Sequence, residues 1–94
     1  EDRDQAGAYF ERACMLDIPS ACYNFGVHLN LTQSPPPFER TRQLFDRACQ
    51  GEHFLACAFL AHMYRNGQGG PVDLSQAAEL AALACQNGIE MACE

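Results

Sequence analysis

The stretch CQGEHFLAC, residues 49–57, begins and ends with a cysteine and holds seven residues between the two. The same spacing recurs at residues 14–22 and 85–93, so all six cysteines of the chain fall into three pairs. Successive pairs follow one another every 35 or 36 residues. A fixed period of this length is typical of proteins built from stacked helical repeats. The cysteine positions therefore indicate a repeat architecture.

The sequence between the cysteines predicts helices joined by two alternating kinds of turn. Apolar residues recur there at helical spacing, and no segment alternates as a strand does. Residues 34–37 (SPPP) cannot lie inside a helix, and the glycine-rich residues 66–71 tolerate positive φ angles. Gly51 is expected to end one helix and Asp73 to cap another. The predicted fold class is all-α, an α/α solenoid of antiparallel helix hairpins. Its helices are expected at residues 4–16, 19–31, 38–50, 54–66 and 73–87, with one more beginning at 89.

The period also divides the chain into repeat units. Residues 18–52 are predicted to form one repeat, whose two helices are joined by the proline-rich loop. Residues 53–88 are predicted to form a second repeat with the glycine-rich loop. Residues 1–17 are expected to be the second helix of a preceding repeat, and residues 89–94 the start of a following one. We therefore expect the chain to be a fragment of a longer array.

Composition limits the functions open to this chain. Its 94 residues include twelve carboxylates but only six basic residues, all arginine, for a net charge of −6. A surface with this balance repels nucleic acid and anionic lipid, so neither is expected as a partner. The lack of lysine excludes P-loop phosphate binding and Schiff-base chemistry. No apolar run reaches the roughly 18 residues that a membrane span needs.

Each cysteine pair straddles a helix end, a short turn and the next helix start, positions that lie side by side in an antiparallel hairpin. Six cysteines allow 15 connectivities, and the identical spacing favours Cys14–Cys22, Cys49–Cys57 and Cys85–Cys93. Free buried thiols and a zinc site stay open as alternatives, although no clustered Cys/His spacing supports zinc. Disulfides would imply an oxidising compartment: the periplasm, the extracellular space or the mitochondrial intermembrane space.

The segment CAFLAHMYRNGQGGPVDLSQA, residues 57–77, resembles a Sel1-like repeat. It has a small-residue helix ending in Tyr-x-x-Gly-x-Gly, then an aspartate and an alanine-rich second helix. With its paired cysteines the chain is similar to the cysteine-rich branch of that family, which includes the Helicobacter cysteine-rich proteins and a mitochondrial intermembrane-space assembly factor. The resemblance covers essentially the whole chain, but residues 31–37 (LTQSPPP) replace the glycine turn of the first repeat.

The resemblance implies a right-handed superhelix that binds proteins or peptides on a concave face. It also implies two alternative functions, which are β-lactam binding with weak hydrolysis, and haem binding in a mitochondrial assembly factor. The serines sit in caps or loops, and the chain has no Gly-x-Ser-x-Gly or Ser-x-x-Lys motif. His53 is expected to be solvated in the turn before a helix. No catalytic residue, cofactor or metal ligand set is predicted, so a non-catalytic scaffold is the expected function.

One face of the first helices of the repeats is predicted to bind the partner. The stripe of cysteines, small residues and aromatics is expected to pack inward, and the next face mixes apolar and polar groups at four-residue intervals, as a peptide-binding groove would. The net charge favours a basic or mixed protein or peptide partner. Alternatively, Phe59 and Met63 pack on further repeats of the same chain. The predicted face consists of Asn24, Val27, His28, Leu31, Phe59, His62, Met63 and Asn66.

Overall fold

The computed structural model describes the backbone of residues 2–93 and the side chains of residues 5–93, and within that range it contains helices but no strand. Each helix packs against the next one along the chain, which confirms the predicted all-α fold of helix hairpins. The observed bounds agree with the predicted ones to within two residues. The helices are α1 (Asp2–Met15), α2 (Pro19–Thr32), α3 (Phe38–Gln50), α4 (Phe54–Asn66) and α5 (Leu74–Gln86), followed by a 3₁₀ helix (Glu90–Cys93).

The two ends of the chain were predicted to belong to neighbouring repeats. The structure forms α1 within residues 1–17, and it forms the short 3₁₀ helix rather than an α-helix within residues 89–94. Glu1 and Glu94, which those predictions include, lie outside the described residues. The division into repeat units stays a prediction.

The turns after α1, α3 and α5 share one geometry. Each contains a residue with left-handed backbone, namely Asp17, Glu52 and Gly88, with φ of 63°, 69° and 95°. The amide of the following residue bonds a carbonyl five residues back, as His53 N does to Ala48 O at 3.0 Å. This is the Schellman ending of an α-helix, in which the last carbonyls find partners inside the turn. The repeat is therefore visible in the backbone as well as in the cysteines.

Gly51 is needed in its turn because it has no side chain, not because its backbone conformation is unusual. It lies at the C-cap of α3, as predicted, but its φ of −86° suits any residue. The left-handed position belongs to Glu52. A Cβ at Gly51 would run into the side chain of Pro19 in the first turn of α2. Glycine is thus required here because the α3–α4 turn packs directly on the start of α2.

A disulfide crosses each of these turns. The bonds join Cys14 to Cys22, Cys49 to Cys57 and Cys85 to Cys93, with Cα–Cα distances of 4.5, 4.8 and 4.8 Å. The first two bonds are buried, whereas Cys93 of the third is exposed. Closing a loop of this size contributes about 2–3 kcal/mol, chiefly by restricting the unfolded chain. Structural disulfides of this kind indicate an oxidising compartment.

The alternate turns are longer and have no disulfide. The proline-rich loop joins α2 to α3, and the glycine-rich loop joins α4 to α5. In the second loop Gly67 and Gly69 have φ of 68° and 79°, a region that side chains disfavour. Asp73 then caps α5 as predicted, since its carboxylate accepts a hydrogen bond from the amide of Gln76 at 3.0 Å.

The core forms where the inward stripes of α2 and α4 meet α3. Leu60 and Cys57 on α4 are 1% and 0% exposed, and Phe25 on α2 is 5% exposed. A Cβ at Gly26 would come within 2.8 Å of the Phe45 ring, so a glycine there lets that ring pack against the backbone of α2. This packing fixes the spacing between the two first helices and the helix that lies beneath them.

Candidate functional site

A groove of about 300 Å³ opens between α2 and α4, with α3 beneath it and the glycine-rich loop at one end. Every side chain that lines it is uncharged or a histidine, and three of them are phenylalanines. Pockets that hold ligands or peptide side chains are typically of this kind, with apolar walls and a few polar groups. The lining residues are Val27, Asn30, Leu31, Phe38, Phe45, Phe59, His62, Met63 and Gln68.

Five residues of the predicted binding face meet in this groove: Val27, Leu31, Phe59, His62 and Met63. These five residues differ in solvent exposure, which decides whether a partner in the groove could touch them. Leu31 is 80% exposed at the groove edge, whereas Met63 is 3% exposed and belongs to the core. His62 is exposed and Phe59 is half-buried. A partner in the groove would therefore contact Leu31 and His62 directly.

Three residues of the predicted face do not line the groove: Asn24, His28 and Asn66. Asn24 is exposed on α2. His28 faces α1, where a Cβ at Gly7 would lie 2.7 Å from its Nε2 atom and where its ring meets that of Phe10 at 6.4 Å. Asn66 donates a hydrogen bond to the main-chain oxygen of His62 at 2.9 Å and so is engaged within α4.

The two repeats do not contribute equivalent residues to the groove. Val27 and its equivalent His62 both line it, but Met63 lines it while its equivalent His28 faces α1. Adjacent positions on an α-helix are about 100° apart, so the packing of the hairpins decides which of the two neighbours faces outward.

The sequence analysis did not identify four of the lining residues: Asn30, Phe38, Phe45 and Gln68. Phe38 and Phe45 come from α3, and Gln68 comes from the glycine-rich loop, whereas the prediction considered only the first helix of each repeat. The seven-residue spacing of the two phenylalanines on α3 was a signal that they share one face. Nothing in the sequence indicates that this face forms the floor of a groove.

Aromatic rings continue the groove wall from Phe59 toward the α3–α4 turn. The Tyr23 ring stacks on Phe59 with centroids 5.7 Å apart and on His53 at 4.6 Å. Phe45 lies against both Tyr23 and Phe59, at 5.7 and 6.0 Å. Burial among these rings raises the pKa of the Tyr23 hydroxyl above its ordinary value. The cluster ties together α2, α3 and α4 at the groove.

The prediction that His53 is solvated is wrong. Its side chain is half-buried in the stack on Tyr23, and its Nδ1 atom accepts a hydrogen bond from Ala56 N at 3.3 Å. His53 is therefore the N-cap residue of α4. The sequence did not reveal this because histidine is not among the residues that commonly cap helices.

Among the described residues, the histidines and serines that catalysis or ligand coordination would use do not cluster. His28 and His62 line different cavities, so they do not form one ligand pair. Among the described residues no group of three or more His, Cys, Asp or Glu side chains could hold a metal ion. Ser20, Ser34 and Ser75 are exposed on separate segments. None of the described helices combines the length and apolar character that crossing a bilayer requires.

Comparison with known proteins identifies the repeat. The profile of the Sel1 repeat matches residues 1–18 and 55–89, which is more than half of the chain. Among solved structures, Helicobacter pylori cysteine rich protein B superposes with a TM-score of 0.85 and 24% sequence identity over 93% of this chain. The present chain spans 66% of the length of that protein's chain, and the likeness shows the fold alone. A comparison with curated proteins finds no match. With its repeat period, paired helices and matching profile, the chain belongs to the Sel1 repeat family.

Proposed function

We propose that this chain is a non-catalytic scaffold that binds a protein or peptide in the groove between α2 and α4. The observation that carries the proposal is the exposure of Leu31, which leaves 80% of a large apolar side chain open at the edge of an apolar groove. Apolar surface that is concave and exposed is typical of interaction sites. Stacked helical repeats use such extended surfaces to bind other proteins.

The partner that suits this surface is basic or mixed in charge. The chain carries a net charge of −6, which attracts cationic segments and repels acidic ones. We further propose that residues 18–52 and 53–88 are the two repeat units that together form the groove. The three disulfides support a periplasmic, secreted or mitochondrial intermembrane-space location, where such bonds persist.

A selection of phage-displayed random peptides on the oxidised protein tests this proposal. Selected peptides are measured by fluorescence polarisation against the wild type, Leu31→Arg and Leu16→Arg. Leu16 is a matched control because it is 75% exposed and does not line the groove. Leu31→Arg places a charged, bulky side chain at the groove edge, so we expect at least tenfold weaker binding to this variant only.

Two results would reject the proposal. One is equal binding of the selected peptides to the wild type and to Leu31→Arg, which would locate their site elsewhere. The other is a selection that enriches no peptide on the wild type beyond the level reached on Leu31→Arg. Circular dichroism of each variant checks that the helices are intact, and both substitutions are at exposed positions where little effect on folding is expected.

A further inference from the structure

Two asparagines in the chain are followed directly by glycine, Asn66–Gly67 at the end of α4 and Asn87–Gly88 at the end of α5. Asparagine in this context can react without an enzyme, because the main-chain nitrogen of the next residue can attack the side-chain carbonyl. Glycine has no Cβ to hinder that approach, and its backbone adopts conformations closed to other residues. The dipeptide is the same at both sites, so a difference in reactivity has to come from the fold.

The reaction exchanges an amide for a carboxylate and consumes one water. The glycine nitrogen gives up its proton and forms a bond to Cγ of the asparagine. The Cγ–Nδ2 bond breaks, and Nδ2 departs as ammonia with one proton gained. This leaves a five-membered succinimide ring. Water then opens the ring at either of its two C–N bonds, which gives aspartate or isoaspartate.

Attack requires the end of the helix to open. Both asparagine side chains point back along their helices, because Nδ2 donates to the carbonyl oxygen four residues earlier, at 2.9 Å for Asn66 and 2.8 Å for Asn87. Each following glycine also donates its N–H to a carbonyl of the same helix. These bonds have to break before the glycine nitrogen can reach Cγ. The free energy of local opening therefore controls the rate at each site.

The glycine-rich loop anchors the Asn66 end of α4. Met63 O accepts from the Gly67 amide and also from Arg42 Nη2 at 3.2 Å. Arg42 Nε donates to Gln68 O at 2.9 Å, and Gln68 N donates to Met63 O at 3.0 Å. Turning the Asn66–Gly67 peptide displaces Gln68 and so disturbs hydrogen bonds from a charged donor, which are stronger than neutral ones.

The Asn87 end of α5 has no charged anchor in the part of the chain that the structure describes. Both Asn87 and Gly88 are exposed, and no atom lies within 4 Å of the place that a Cβ on Gly88 would occupy. The main-chain bonds that close the turn are neutral, such as Gly88 N to Cys85 O at 3.1 Å. The Cys85–Cys93 disulfide joins the ends of this segment but does not bond its peptide groups. Exposed helix ends of this kind open at low cost.

From these observations we infer that Asn87 is a modification site, at which the side chain of the folded protein cyclises onto Gly88 N, loses ammonia and hydrolyses to aspartate and isoaspartate. The anchored loop protects Asn66 from the same reaction. The product puts a carboxylate at the C-terminus of α5, where the helix dipole disfavours negative charge, and it removes the donor to Leu83 O. The modification therefore loosens the end of α5.

The test compares the two sites in one incubation of the oxidised protein in warm, mildly alkaline buffer. After reduction and alkylation, a protease that cleaves after glutamate separates the sites, because residues 53–79 carry Asn66 and residues 80–90 carry Asn87. Fragment-ion mass spectrometry measures the conversion of each asparagine, and isoaspartyl methyltransferase labelling measures isoaspartate. We expect Asn87 to convert at least about tenfold faster than Asn66, the factor that corresponds to one additional charged hydrogen bond.

Two controls assign this difference to the fold. In the reduced chain unfolded in urea, both asparagines should convert at similar rates, because the dipeptide is the same. Arg42→Ala releases the loop, so it should raise the rate at Asn66 in the folded protein and leave the rate at Asn87 unchanged. Arg40→Ala should change neither rate, since Arg40 does not contact the loop but pairs with Glu11.

The loosening of α5 has its own readout. Asn87→Asp carries the charge of the product, and it should lower the hydrogen-exchange protection of the Ile89 amide, which bonds Ala84 O at 3.0 Å. Unchanged or higher protection would reject this consequence.

Three results would overturn the inference itself. The first is conversion of Asn66 in the folded protein as fast as that of Asn87. The second is no conversion of Asn87 in the folded protein over a period in which the unfolded chain reacts to completion. The third is the same preference for Asn87 in the unfolded chain, which would assign the difference to the local sequence.

Discussion

Replacing Arg42 by alanine should destabilise this protein far more than replacing Arg40, which lies on the same helix. Arg42 reaches from α3 to the glycine-rich loop, where its Nε atom donates to Gln68 O at 2.9 Å. Its Nη2 atom donates to Met63 O at 3.2 Å and to Pro71 O at 3.3 Å. The side chain therefore joins the end of α4 to the loop that leads into α5.

The magnitude follows from these contacts. The acceptors on Gln68 and Met63 are in part-buried bonds, while the bond to Pro71 is exposed. Hydrogen bonds from a charged donor contribute about 1.5–3 kcal/mol each, with the lower value appropriate where water can replace the donor. The guanidinium also lies 4.3 Å above the Tyr64 ring, which adds about 0.5–1 kcal/mol. Because these bonds share one guanidinium and water can replace part of them, their contributions do not add in full, and Arg42→Ala should lower the free energy of unfolding by about 2–4 kcal/mol.

The assay is urea unfolding of the oxidised protein, followed by far-UV circular dichroism at 25 °C and analysed by linear extrapolation. Arg40→Ala is the matched control. Arg40 pairs with Glu11 at 3.1 Å, with the two side chains 51% and 49% exposed, and it lies 4.9 Å from the Phe25 ring. Exposed contacts of this kind contribute less than about 1 kcal/mol. Arg42→Lys should fall between the two, since an ammonium keeps the charge but not the planar set of donors.

Hydrogen exchange locates the effect. The amide of Asp73 bonds Tyr64 O at 2.9 Å and closes the glycine-rich loop. Its protection should drop in Arg42→Ala and stay unchanged in Arg40→Ala. If Arg42→Ala unfolds at the same urea concentration as Arg40→Ala, or if the loss is uniform across all amides, Arg42 does not hold this loop and the reasoning is refuted.

Three further substitutions or treatments test other parts of the fold. Limiting reductant should open the Cys85–Cys93 bond first, because Cys93 is exposed while the other disulfides are buried. Differential alkylation followed by mass spectrometry measures the order in which the bonds open. Earlier labelling of a buried pair would contradict the prediction. His53→Ala should lower the free energy of unfolding in urea by about 1 kcal/mol more than His53→Asp does, since aspartate restores the N-cap acceptor. Equal losses of stability in the two variants would mean that the cap is unimportant. Gly51→Ala should destabilise by about 1–3 kcal/mol through collision with Pro19, and the penalty should shrink in a Pro19→Ala background if that contact is the cause.

The lining of the groove was only partly predictable. Val27 and Leu31 lie in the groove as the helical spacing indicates, but His28, one position from Val27, turns toward α1 instead. Val27 and His28 are only about 100° apart around the helix axis, so both fit one broad face when the helix is considered without its neighbours. The contribution of Phe45 depends on α3 lying beneath α2 at the distance that Gly26 allows. These relations join residues that are far apart in the chain.

The sequence by itself determined the helices, their turns and the pairs of cysteines that can meet, because each of these depends on residues within about one turn or one hairpin of each other. The period of 35 or 36 residues was enough to show that such hairpins repeat. Only the tertiary structure decided that His53 caps a helix while stacked on Tyr23, and that Asn30 lines the groove with its oxygen unpaired. The reason is that a side chain's surroundings are set by how neighbouring hairpins pack, and that packing is fixed by many weak long-range contacts together.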